Sequence, residues 1–217
     1  MAMNDPLPGN AQARRRLWLS ALHQLAIADG DFSDSEQELL GRELAAELPG
    51  GSWDSLHLPG DEALHHRFGV GTPLAEEFMR TAVMVALADG HLSSVELEWL
   101  QRWSRTLKVA EELIAGLASD GGASHCDSEA HPTLLEPLRQ WMDDIQPTDP
   151  AVARFLVRLI PAQCPFERDV TLFGRKVVHI PPMCKINPLY EQLVALRFRC
   201  LSRLEEVGGS QTSPATP

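Results

Sequence analysis

Thirteen residues set out the chemistry that this chain repeats. Ala28-Asp29-Gly30-Asp31-Phe32-Ser33-Asp34-Ser35-Glu36-Gln37-Glu38-Leu39-Leu40 returns as Ala88-Asp89-Gly90-His91-Leu92-Ser93-Ser94-Val95-Glu96-Leu97-Glu98-Trp99-Leu100, displaced by sixty positions without a gap. Carboxylates grouped in this way suit hard divalent cations, which take several oxygen ligands. The same spacing serves a second purpose. Ser-x-x-Glu is a capping box, in which the Ser hydroxyl accepts from the Glu amide and the Glu carboxylate accepts from the Ser amide. Asp29 and Asp89 then finish a turn, and Glu38 and Glu98 lie on a solvated face. An EF-hand is excluded: counting from Asp29, Asp34 stands where glycine is required and Leu40 where the bidentate glutamate belongs. In the second copy His91 replaces Asp31, which lowers the negative charge.

Other clusters are weaker. Cys164, His179, Cys184 and Cys200 are acceptable zinc ligand types, but they are widely spaced and lack a Cys-x-x-Cys knuckle. Cys200 falls on the apolar face of the last helix and reads as core. His125, Cys126, Asp127, Glu129 and His131 share a polar loop of the kind that is usually just solvated. There is no nucleophile elbow, no HExxH and no phosphate-cradling loop, so the expectation is a protein that is not an enzyme.

The elements that position these residues follow from helical spacing. Leu17, Ala21, Leu22, Leu25 and Ala28 mark a helix from about Ala11, closed by Asp29-Gly30. Ser33 opens the next one. Each repeat is thus helix, acidic turn and capped helix, an α-hairpin that buries its stripe against its twin. Residues 49–71 form an irregular connection with a short helix at Glu62–Arg67. Thr72-Pro73 starts a helix to Ala88, and others cover Ser94–Leu107, Ala110–Ala118 and Pro132 to Ile145, the last with Leu134, Leu138, Trp141 and Met142 inward. Gln146-Pro147-Thr148-Asp149-Pro150 reads as a boundary, with Asp149 capping a helix to Ile160. Val170 and Leu172, then Val177, Val178 and Ile180, flank Phe173-Gly174-Arg175 as a β-hairpin. A final helix spans Leu189–Glu206. The expected fold is therefore mainly α: a helical bundle of two repeated α-hairpins, plus a small C-terminal helical module with one β-hairpin. The divisions are a flexible 1–10, a helical domain 11–145, a second domain 146–207 and a disordered tail 208–217.

Charge supports two modules. The 217 residues carry a net −11, with 44% hydrophobic and 23% charged residues. Residues 1–145 hold 10 Lys and Arg against 24 Asp and Glu, a balance of −14, whereas residues 146–217 hold 9 against 6, or +3. The acidic part repels nucleic acid and anionic membrane and attracts cations or basic partners. Four scattered cysteines indicate a reducing compartment, and no apolar run reaches a bilayer span, so the expected location is cytoplasmic. Arg14-Arg15-Arg16 before Leu17-Trp18-Leu19 imitates a signal peptide, but the matching segment before Asp89 lies deep in the chain, and the triplet reads as the solvated start of a helix.

The paired ADG-x-x-S-x-x-E-x-E units resemble the TerB-like family, named for tellurite resistance, over about residues 11–120. The run Cys164-Pro165-Phe166-Glu167-Arg168-Asp169, Leu172-Phe173-Gly174-Arg175, Ile180-Pro181-Pro182-Met183-Cys184-Lys185-Ile186-Asn187-Pro188-Leu189-Tyr190-Glu191-Gln192-Leu193 and Leu196-Arg197-Phe198-Arg199 resembles the Mo-dependent nitrogenase C-terminal-like family over about residues 150–207. That second name does not bring nitrogenase catalysis with it, because the chain lacks a cluster-binding cysteine set. The TerB-like resemblance implies binding of a divalent cation (calcium, magnesium, manganese or zinc) through Asp29, Asp31, Glu36, Glu38, Asp89, Glu96 and Glu98, linked to stress or metal homeostasis. The second resemblance implies an interaction module in nitrogen or photosynthetic metabolism. A basic surface of Arg175, Lys176, Lys185, Arg197 and Arg199 fits a protein partner, with no nucleic acid and no membrane.

Overall fold

The computed structural model describes residues 8–28, 58–88, 92–119, 132–160, 168–172, 175–180 and 189–209. Among these the chain is mainly helical. The helices are α1 (Pro8–Ala26), α2 (Asp61–Phe68), α3 (Pro73–Ala86), α4 (Ser94–Leu107), α5 (Glu111–Ser119), α6 (Pro132–Asp143), α7 (Pro150–Leu159) and α8 (Tyr190–Gly209). Strand β1 (Arg168–Leu172) pairs antiparallel with β2 (Arg175–Ile180), setting Arg168 opposite Ile180 and Leu172 opposite Arg175, with an irregularity between Val170 and Thr171.

Helix α3 is the centre of the bundle. Phe78, Met79, Ala82, Val83, Met84, Val85 and Ala86 are all buried, so it is apolar nearly all round, as a helix enclosed by others must be. It packs on α1, α2, α4 and α6. Trp18 of α1 and Phe68 of α2 meet edge to face at 5.5 Å, Phe68 stacks on Phe78 at 4.5 Å, and Phe78 touches Trp103 of α4 at 5.5 Å. The polar atoms among these rings are satisfied. Trp18 Nε1 donates to Thr81 Oγ1 at 2.9 Å, and Thr81 Oγ1 donates to the Phe78 carbonyl at 2.7 Å.

Local chemistry sets the element ends. Thr72 caps α3 by accepting from the Ala75 amide at 3.1 Å, with Pro73 in the first turn. Just before it, Gly69 has φ 76°, and a Cβ there would lie 2.7 Å from Thr72 Cγ2, so only glycine fits. Three boundaries differ from expectation. Helix α1 starts at Pro8 rather than near Ala11, because proline is pre-set for a first helical turn. Helix α6 stops at Asp143 because Ile145 N turns in to the Met142 carbonyl at 3.1 Å, a tighter closing turn. Helix α8 runs to Gly209, beyond Glu206.

One contiguous set of buried apolar side chains runs from Trp18 through Ile114, Leu138 and Phe155 to Leu196 and Cys200. Helix α8 lies against α7, burying Leu193, Leu196 and Cys200, with Leu204 half-buried, and α7 also packs on α1. The segment 146–149 is held at two points. Glu77 of α3 accepts from the Thr148 amide at 2.8 Å and its hydroxyl at 3.0 Å, and Asp149 accepts from Arg15 Nε of α1 at 2.8 Å. Arg15 is therefore paired rather than merely solvated.

Candidate functional site

The two acidic motifs follow α1 and α3 in the sequence, and contacts fix how those helices lie. Arg15 and Glu77 grip adjacent residues, Asp149 and Thr148. About one turn further along each helix, Trp18 bonds Thr81. Contacts that advance together along both chains mean that α1 and α3 run in the same sense. Their C-terminal ends, Ala26 and Ala86, accordingly lie at the same end of the bundle, offset by about three residues, or ~4.5 Å of helix rise.

Both ends close alike. Ile27 N donates to His23 O at 3.2 Å and Ala28 N to Leu25 O at 3.1 Å, while Leu87 N donates to Val83 O at 3.0 Å and Ala88 N to Val85 O at 3.2 Å. The same two bonds recur at the sixty-residue displacement. A helix C-terminus presents unpaired carbonyls and a partial negative charge. His23, in the last turn of α1, is buried with Nε2 unpartnered, and burial lowers its pKa.

Of the seven carboxylates implied for a cation, Asp29, Asp31, Glu36, Glu38 and Asp89 lie outside the described residues, as does the Ser33–Glu36 capping box. Glu96 and Glu98 lie within them and behave differently. Ser93 N donates to Glu96 Oε2 at 2.8 Å and Glu96 N donates to Ser93 Oγ at 3.2 Å, so the capping box is formed, and Glu96 is only 4% exposed. Glu98 is exposed on α4. Among the described residues no three His, Cys, Asp or Glu side chains come together as a metal site.

The basic surface divides in two. Arg197 is no open donor: its Nη1 donates to the carbonyls of Val157 and of Ile160, the latter at 2.7 Å, and so caps the C-terminal end of α7. Arg199 makes one long bond, to Ile145 O at 3.4 Å. Lys185, Cys164 and Cys184 lie outside the described residues, as do the side chains of Arg175, Lys176 and His179 and the loop 120–131. Cys200 is buried as expected, and burial pushes its thiol up to about 12 against the opposing charges of Arg197 and Arg199. That thiol is a packing group at neutral pH.

A family model described as Mo-dependent nitrogenase C-terminus matches residues 134–214, from within α6 to beyond α8. No curated protein and no solved structure matches the chain. No helix among the described residues is long and apolar enough to cross a membrane.

Sequence reasoning missed the contacts of Arg15 and Glu77, whereas Phe198 is already legible as one of the aromatics interleaved with the basic C-terminal residues. Arg15 and Glu77 act on residues 134 and 71 positions away, which no local pattern reports. Phe198 stands on the opposite side of α8 from Leu196 and Cys200, and it is 67% exposed.

Proposed function

We propose that this is a non-enzymatic cytoplasmic protein that binds a divalent cation at the acidic turns following α1 and α3, as the TerB-like resemblance of residues 11–120 implies. The observation that carries this reading is the same-sense packing of α1 and α3, whose C-terminal ends sit at one end of the bundle. The turn beginning at Asp29 follows one of those ends and the turn beginning at Asp89 follows the other. Two groups of carboxylates then join two partial negative helix ends around one hard cation. With Glu96 engaged by the Ser93 amide, the proposed ligands are Asp29, Asp31 and Asp89, with Glu38 and Glu98 at the margin. A role in metal homeostasis or stress follows if occupancy changes with the ion's concentration.

The test is calorimetric titration of chelator-stripped protein with calcium, magnesium, manganese and zinc. Beside it run Asp29→Asn/Asp89→Asn and, as a control, Glu112→Gln, an exposed carboxylate on α5. Saturable binding that survives in the control and disappears in the double variant is the expected result. Equal binding by all three proteins, or none by the wild type, makes the repeated motif a folding device only.

A further inference from the structure

The second face of interest is on α8 and does not depend on the cation reading. An open groove of about 500 Å³ lies between the segment Gln146–Thr148 and one side of α8, lined there by Phe198, Arg199, Ser202, Arg203 and, at its edge, Glu206, which is paired with Arg203. Phe198 is 67% exposed, well above the 38% of Val70 and 40% of Val95, the other large exposed apolar side chains among the described residues. The inward stripe of the helix already uses Leu193, Leu196 and Cys200, so the intramolecular packing of α8 does not require this ring. A large aromatic left in water beside a concave surface is the usual anchor position of an interface.

The charge beside it narrows the occupant. Among the described residues Arg199 Nη1 makes a 3.4 Å bond to Ile145 O, and Arg203 makes a 3.3 Å bond from Nε to Thr148 O and a 3.2 Å pair from Nη1 with Glu206. A guanidinium carries five N–H donors, more than these bonds use on either side chain. Arg197, one position before Phe198, is different, since it is spent on the carbonyls of α7. Arg199 and Arg203 are four residues apart, hence neighbours on one helix face, and both lie to the same side of the aromatic ring, lining the groove with it. They also lie in the part of the chain whose balance is +3, against −14 for the remainder.

We infer that this groove is a docking site for an acidic peptide segment of a protein partner, in which an aliphatic or aromatic side chain packs on Phe198 and Pro147 while flanking carboxylates take the Arg199 and Arg203 guanidinium groups. Paired carboxylate recognition suits arginine forks. All the groove residues fall within the stretch 134–214 that matches the family model.

The experiment uses the full chain and an immobilised array of short synthetic peptides, each with one Leu, Phe or Trp among Asp and Glu, beside the same peptides with Lys in place of the acids. Phe198→Ser and Arg199→Glu/Arg203→Glu are probed in parallel, their fold checked by thermal unfolding. The expected result is saturable binding to acidic peptides only, weakened about tenfold or more by Phe198→Ser and reduced by added salt. Since Phe198 is exposed, that variant keeps the unfolding midpoint even if the double arginine variant does not. Acidic and basic arrays that bind alike, or binding that Phe198→Ser leaves intact, overturns the proposal. Self-association of the wild type that Phe198→Ser abolishes overturns it too, making the occupant a second copy of the chain, as does single-stranded RNA binding that is lost in the arginine variant while no peptide binds.

Discussion

Arg15 and Asp149 stand 134 positions apart and meet in a two-pronged ion pair, with Arg15 Nε 2.8 Å from Oδ2 and 3.0 Å from Oδ1. The carboxylate has a second task, because its Oδ1 accepts from the Ala151 amide at 2.8 Å and caps α7. One side chain therefore starts a helix and attaches it to the other end of the chain.

The two tasks separate on substitution. Asp149→Ala loses both and costs about 1–2 kcal/mol, the cap providing about 1 kcal/mol and the partly exposed pair about 0.2–1 kcal/mol. Asp149→Asn keeps a capping oxygen and loses only the pair. Urea unfolding of both variants, alone and combined with Arg15→Ala, measures this. Equal losses from Asn and Ala would contradict the division.

Glu77 predicts a pH dependence. Burial raises its pKa, Thr148 opposes the shift through its amide and hydroxyl, Asp149 adds to it and Arg14 opposes it. A carboxyl whose pKa is higher folded than unfolded binds more protons in the folded state between those two values. Stability therefore falls as pH rises through that window. Glu77→Gln keeps an acceptor for Thr148 and removes this slope, so the variant gains on the wild type as pH climbs from the ordinary carboxylate range. Unfolding free energies measured in parallel across that range check the sign, and a wild type that gains instead would refute it.

Thr81 gives a prediction inside the core. Thr81→Val preserves shape but leaves Trp18 Nε1 buried without its acceptor, at a cost of about 1–3 kcal/mol. In a Trp18→Phe background no such donor exists, and Thr81→Val should cost clearly less. Chemical denaturation of the four proteins in this cycle yields the coupling, and strict additivity would mean that the bond contributes nothing.

Legibility in the sequence followed the range of the interaction. Ser93 with Glu96, Thr72 with Pro73, and Asp149 with Pro150 announce their helix starts within four residues, and all three caps form. Leu193, Leu196 and Cys200 declare their face by spacing alone. Arg197 and Arg199 show the limit: two positions apart with identical charge, they are indistinguishable in sequence, yet it is Arg197 that meets the carbonyls of Val157 and Ile160 at the end of α7. Glu96 shows another, since its residue type and spacing fit a ligand and a cap equally, and only its 2.8 Å contact with the Ser93 amide reveals which bond it makes.

The span between Arg15 and Asp149 also has a consequence in time. A ribosome adds about 5–20 residues per second, so the 134 residues that separate the pair take roughly 7–27 s to synthesise. Throughout that interval the face of α1 that α7 will cover is emerging with nothing to cover it. The nascent amino-terminal half is thus the stage at which this protein is most exposed to aggregation and to capture by chaperones.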